Sequence, residues 1–332
     1  MKNDELYVIQ TGKKFGYMNN QGEIIIPAEF EYAEDFCDGI AVVGKDEKFA
    51  FINMDGKLIS DFVYDDVYEK GQEFIVVEKD GKMGYVNYQG ELAIDMVFQE
   101  AFSFSEGYAA VKVDYKWGYI DKQGKFVISP QFLTAFDFSE GLALVQSGGK
   151  LGFIDTKGNF VIEPKYDYAF SFSEGYAAVK IGSNFGFIDK QGKVVVKSKF
   201  YTVSDFHEGL AAAGKEEKHG YINKEGKFVI RPIYDWADNF YNGIAAVAVG
   251  DRYGFINAEG VEIIPVKYEN VDSFSEGLFS VQINGKWGFV DAEGKFAGEP
   301  VFDEVSNFRG GIAKVILKGK INYINRNGEY IK

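Results

Sequence analysis

The chain has 332 residues and a formal net charge of −14, with 50 Asp and Glu against 36 Lys and Arg. A surface that acidic repels phosphate backbones and anionic bilayers, and no Lys/Arg cluster offsets it, so nucleic acid and membrane surfaces are disfavoured as partners. The apolar fraction of 46% supports a core rather than disorder, and 17% aromatics with 39 Gly but 6 Pro suits many short strands joined by tight turns.

No apolar run reaches the roughly 18 residues of a membrane-spanning helix, so no membrane insertion is expected. The opening Met-Lys-Asn-Asp-Glu-Leu-Tyr-Val lacks the apolar centre of a signal peptide, which makes the cytoplasm the expected compartment. A single Cys, Cys37, excludes an internal disulfide framework.

Length alone would suggest about two domains, but periodicity predicts one repeat domain over 1–332. Units of 34 residues begin near residues 6, 40, 74, 108, 142, 176, 210, 244, 278 and 312, the last one truncated. Asn or Asp recurs in all 10 copies from Asn19 to Asn325, and a turn Gly recurs in all 10 from Gly22 to Gly328. A second Gly series runs through Gly16, Gly84, Gly118, Gly152, Gly186, Gly220, Gly254 and Gly288.

The unit from Tyr108 to Gly141 shows the expected elements in order. Tyr108–Val113 alternates apolar and small residues, and 116–121 forms a second run. Asp121-Lys122-Gln123-Gly124 is a hairpin turn, with the Asp side chain capping amides and Gly124 expected at positive φ. Phe126-Val127-Ile128 is a third strand, stopped by Pro130. A connector through Phe132 and Phe138 reaches the turn Ser139-Glu140-Gly141. Each unit is thus three short antiparallel strands plus a packed connector.

Five aromatic columns, starting at Phe15, Tyr17, Phe30, Phe36 and Phe126, are expected to be core. In the second strand Tyr119 and Ile120 point to opposite faces, so both faces are apolar and the strand must be sandwiched between neighbouring units. Gly118 shares the Ile120 face, where its missing side chain should let a neighbouring strand approach closely.

Lys116-Trp117-Gly118-Tyr119-Ile120-Asp121 and Lys286-Trp287-Gly288-Phe289-Val290-Asp291 resemble the signature of WG-containing (KWG) repeats of bacterial proteins. The resemblance covers essentially the whole chain and implies an all-β repeat fold, a bacterial origin and an interaction or cell-surface role, without a common activity. The sequence departs from it in carrying the Trp in only two units, Ala50 in place of Gly in the second, and Glu73 where the connector Gly should be.

Two architectures accept such units. An open β-solenoid or superhelix is preferred, because a β-propeller blade usually has four strands and closure often draws the last blade from both termini. The alternative is a closed, propeller-like ring.

A catalytic site should break the repeat, and few residues do. His207 and Cys37 occupy a Ser position and His219 the Trp position, all readable as repeat substitutions, with no nucleophile–His pairing or metal cluster suggested. The Asp-x-x-Gly turns offer one carboxylate each, too few for Ca²⁺. No cofactor, metal or enzymatic activity is expected. Lys or Arg precedes the aromatic-Gly pair in nine of ten units, and Asp or Glu precedes the connector Gly in six of nine; these rows suit a solvated face with weak ion pairs, or a basic row gripping an acidic partner.

The expected function is a binding scaffold, most simply for a protein, with a glycan or cell wall as the alternative ligand. One column changes character along the chain: Glu34, Tyr68, Phe102, Phe136, Phe170, Ser204, Asp238, Asp272, Ser306. Four consecutive rings flanked by polar residues, Tyr68, Phe102, Phe136 and Phe170, make the candidate partner-binding strip.

Overall fold

In the computed structural model, which describes residues 5–71 and 73–331, the chain is all-β. Ten small antiparallel sheets of three or four strands follow one another in chain order, with no helix among the described residues.

Unit four shows how the residues dictate the element. Tyr108–Val113 pairs with Lys116–Asp121, which pairs with Phe126–Phe132. In the turn between the second and third strands, Asp121 Oδ1 accepts the N–H groups of Gln123 at 3.0 Å and Lys125 at 2.9 Å, and Gly124 sits at φ +76°. Gly118 has a different task. A Cβ there would lie 2.5 Å from the Ile128 oxygen and 2.7 Å from the Pro130 nitrogen, because the third strand crosses directly over the second at this point. Gly16, Gly84, Gly152, Gly186, Gly220 and Gly254 meet the same crossing, with 2.4–2.7 Å to a third-strand carbonyl oxygen.

Units two and nine depart from this crossing, and unit nine does so with its Gly288 in place, its third strand being isolated bridges between Trp287 and Phe302 and between Val290 and Phe296. In unit two, where Ala50 replaces the Gly, the third strand is reduced to isolated bridges between Ile52 and Leu58 and between Phe49 and Tyr64. The chain detours between them, and Ser60 Oγ accepts the Phe51 N–H at 3.0 Å. The buried methyl group of Ala50 occupies the space the strand gives up.

The connectors do more than pack. Glu100–Ala101 pairs with Lys112 and Val111, and Thr134–Ser139 with Leu142–Ser147, the first strand of the next unit, so four sheets contain four strands rather than the three expected. The Phe126 column is a further correction. It divides: Ile24, Leu92, Phe126 and Val194 open an outermost strand and are exposed, whereas Phe160, Phe228 and Phe296 are half-buried and pack against the core as expected.

No unit buries its apolar face alone. Tyr119, Trp117, Ile128 and Phe138 of unit four form one buried cluster with Ala143, Val145 and Ile154 of unit five. The tandem stack expected from the repeat is present, and no strand is shared between its first and last units. Its two ends nevertheless meet. Tyr323 and Ile321 of unit ten pack with Tyr7, Ile9 and Met18 of unit one, the same columns that join units four and five. Tyr323 Oη donates to the Val8 carbonyl at 2.7 Å, and Arg309 pairs with Glu5 at 2.9 Å.

Replacing Gly118 with Ala forces two backbones apart and should destabilise the protein by about 2–3 kcal/mol. Urea unfolding checks this, and an unchanged midpoint would mean that the crossing is not tight.

Candidate functional site

The aromatic column lies at the start of each connector path, and its backbone is fixed from below. Tyr85 Oη donates to the Phe102 carbonyl and Tyr119 Oη to the Phe136 carbonyl, each at 2.7 Å. Burial pushes both phenols far above the ordinary tyrosine range, and the nearby Asp137 adds to the shift, so they remain protonated donors. With the carbonyl held inward, the side chains turn outward. Tyr68, Phe102 and Phe136 are 43%, 40% and 41% exposed, and Phe170 is half-buried. All four predicted rings thus occupy equivalent positions in consecutive connectors and reach the surface.

Three further rings join them. Phe102 stacks on Trp117 with centroids 4.8 Å apart and planes 18° from parallel. Phe170 meets Tyr168 at 5.6 Å and Phe185 at 6.1 Å. Lys112 Nζ lies 5.7 Å from the Trp117 ring and Lys180 Nζ 5.6 Å from Phe185. Trp117 is buried, as expected of its column, and backs Phe102 from beneath, while Phe185 of the same column is half-buried and reaches the strip, which the core reading did not anticipate. Trp287, the other signature Trp, is half-buried and packs against the Phe289 and Phe302 cluster of unit nine.

The residues that break the repeat have structural partners. His219 Nε2 is 2.9 Å from Thr202 Oγ1 and its Nδ1 3.1 Å from the Asp235 carbonyl oxygen. His207 packs on Tyr241 at 5.2 Å. Cys37 is half-buried, with Sγ 3.8 Å from Asp38 Oδ2.

The basic row forms exposed ion pairs, as the solvated-face reading expected, whereas the backbone contacts of the acidic row were not anticipated. Lys14, Lys48, Lys150, Lys218, Arg252 and Lys286 each pair with an acid 17 residues on, namely Glu31, Asp65, Asp167, Asp235, Glu269 and Asp303. Several of these acids also accept an N–H from the first hairpin of the next unit, as Glu31 does from Asp46 at 3.0 Å and Asp235 from Gly250 at 2.7 Å. The second acidic row reaches the next connector. Glu106 accepts the N–H groups of Glu140 at 2.7 Å and Gly141 at 2.8 Å, and Glu208 those of Asn242 at 2.6 Å and Gly243 at 2.7 Å. Glu140, Glu174 and Glu276 reach Gly175, Gly209 and Gly311 in the same way. Positive φ at both turn residues, such as Glu140 at 55° and Gly141 at 83°, points the amides together into a small anion seat.

A model of the WG containing repeat matches nine stretches: 15–49, 49–82, 83–117, 117–150, 152–184, 185–218, 220–253, 253–287 and 287–320. The chain belongs to the WG-containing repeat family. No curated protein matches it. Among solved structures, this WG-repeat chain is similar to "Crystal structure of the eukaryotic initiation factor" at TM-score 0.60 and 12% identity, covering 100% of this chain and 96% of that one. Kluyveromyces lactis Hsv2p matches at TM-score 0.39 and 10% identity over 68% of this chain and 92% of its own. PorZ, a surface component of the type-IX secretion system of Porphyromonas gingivalis, matches at 0.33 and 12% over 99% and 52%. The first likeness extends to the fold alone, and the other two carry no argument.

The inter-unit seats make stability depend on acid. Burial opposes the charge of Glu174, but the Gly209 N–H and the Lys224 ammonium outweigh it and hold the carboxyl below its ordinary value. A depressed carboxyl contributes stability that is complete above the ordinary carboxylate range and is lost as pH falls through its own value. Glu174→Gln should therefore unfold more easily than the parent at neutral pH, and the gap should narrow as the pH falls below about 4.5. Thermal melts across that range check it; a gap independent of pH would contradict the seat.

Proposed function

We propose that this protein is a non-catalytic interaction scaffold whose contact surface is the strip Tyr68, Phe102, Phe136 and Phe170, and that its partner is a protein. The observation that carries this reading is the exposure of large rings in consecutive units of a column that is elsewhere polar or acidic. Aromatic residues with fixed backbones give much contact area at small cost in entropy, as binding hot spots do. Support for a role without chemistry comes from His207 and His219, whose rings are engaged in packing and hydrogen bonds. A scaffold of this kind would act in the cytoplasm.

A glycan ligand is the weaker reading. Stacking on successive sugar rings would favour an open ring in most units, whereas the column is polar or acidic from Ser204 to Ser306.

Phe136→Ala is the variant that tests the scaffold. Its ring is exposed, so the melting temperature should change little, while proteins captured from the source organism should bind several-fold less and a glycan array should stay blank. Equal capture by parent and variant, or strong glycan signals, would sink the proposal.

A further inference from the structure

The strip lies beside a feature that the repeat makes visible by its absence. In six units the Lys or Arg before the aromatic-Gly pair is neutralised by an acid 17 residues on. In units three and four that acid is missing: Gln99 stands opposite Lys82 and Leu133 opposite Lys116. Neither lysine has an ion pair among the described residues. Lys82 is exposed, Lys116 half-buried and Leu133 exposed. These two units also supply Trp117 beneath Phe102, and Phe136 follows Leu133 by three positions.

A second, independent irregularity lies at the same place. Gln99 Oε1 accepts the N–H of Tyr115 at 2.9 Å, in the first hairpin turn of unit four. Tyr115 has φ +61°, the only aromatic residue at positive φ among the described residues, and its side chain is 78% exposed. Equivalent turn positions hold Gly81, Gly149, Gly285 and Gly319, as the left-handed region favours, while Glu47 of unit two shares the positive φ, at +59°, with a slimmer side chain. A bulky ring held there stores strain without burying itself, a pattern that gathers at functional sites.

Resting on the scaffold reading above, we infer that the strip's partner is a protein segment carrying Asp or Glu beside aromatic or aliphatic side chains, and that Lys82, Lys116 and Tyr115 receive it. The two free ammonium groups supply attraction that the six paired ones cannot. Tyr115, Phe102, Phe136 and Leu133 supply the apolar area between them. Asp114, Glu100 and Glu78 border the patch; Glu100 is occupied by Lys112 at 2.6 Å and Glu78 by the Tyr68 hydroxyl. The patch thus sets two ammonium groups with no acid opposite them beside exposed rings, on a protein of net charge −14, and those two groups are what would select an acidic segment over a basic one.

A random-peptide phage library panned against the full chain reads this out. Enriched peptides should combine Asp or Glu with Phe, Tyr, Trp or Leu. A synthetic representative should bind the double variant Lys82→Gln/Lys116→Gln about tenfold more weakly, and more weakly still at high salt. Lys193→Gln, an exposed lysine far from the patch, should bind it as the parent does. Tyr115→Gly should weaken binding while melting no lower than the parent, since glycine relieves the left-handed strain. Peptides that lack acidic residues but lose binding with Phe136→Ala would overturn the acidic partner and leave the strip standing. Peptides indifferent to Phe136, Lys82 and Lys116 alike, or no enrichment at all, would overturn both. A lower melting temperature for Tyr115→Gly would show that the ring serves the fold.

Discussion

The close crossing of backbone over glycine at Gly118 and its equivalents sets the geometry on which everything else in this structure rests. In most units it brings the third strand against the second, and in unit four it shifts the register between Trp117 and Tyr119. Tyr119 then packs against Phe138 of its own connector, at a centroid distance of 4.8 Å, in one cluster with Ala143, Val145 and Ile154 of the next unit. A unit shaped this way has an apolar face on both sides and is stable only between neighbours. The consequence reaches the surface, because the hydroxyl of the same Tyr fixes the Phe136 carbonyl and turns that side chain outward.

The acidity follows from the same design. A stack of short strands has many turns, and each turn leaves amides that need an acceptor. Asp121 and its equivalents cap one turn, the acids after the third strand cap the next unit's hairpin, and Glu106 and its equivalents seat the next connector. Many of the carboxylates are therefore hydrogen-bond acceptors for backbone that the fold itself exposes. The cations that offset them sit in fixed rows, which is why Lys82 and Lys116, in consecutive mid-chain units and, like Lys320 in the last unit, without an opposing acid, stand out.

Much of this was legible in the sequence because a 34-residue period compares each position with its equivalents. The turn at Asp121 and Gly124 and the close approach at Gly118 could be read before any coordinates, whereas the Phe102 column showed only a change of character that a thicker core beneath the connectors would also have produced. The roles of the charged rows could not, since Glu106 and its amide partners are separated by 34 and 35 residues and nothing local links them. Ala50 was opaque for a similar reason: the substitution is accommodated by a strand that ceases to pair several residues later. Phe126 was misplaced because a column of apolar residues looks the same at an edge as in a core. The meeting of the two ends depends on accumulated geometry over ten units, to which no single repeat testifies.

The central claim is that every unit, including the first and last, is completed by a neighbour through the same columns. Urea unfolding of Tyr323→Ala beside Tyr221→Ala tests it most directly, since the first ring lies where units ten and one meet and the second joins units seven and eight in mid-chain. The account predicts that both lose stability by a similar amount, about 3 kcal/mol each. A Tyr323→Ala protein as stable as the parent, beside a weakened Tyr221→Ala protein, would show that the ends do not support one another in solution.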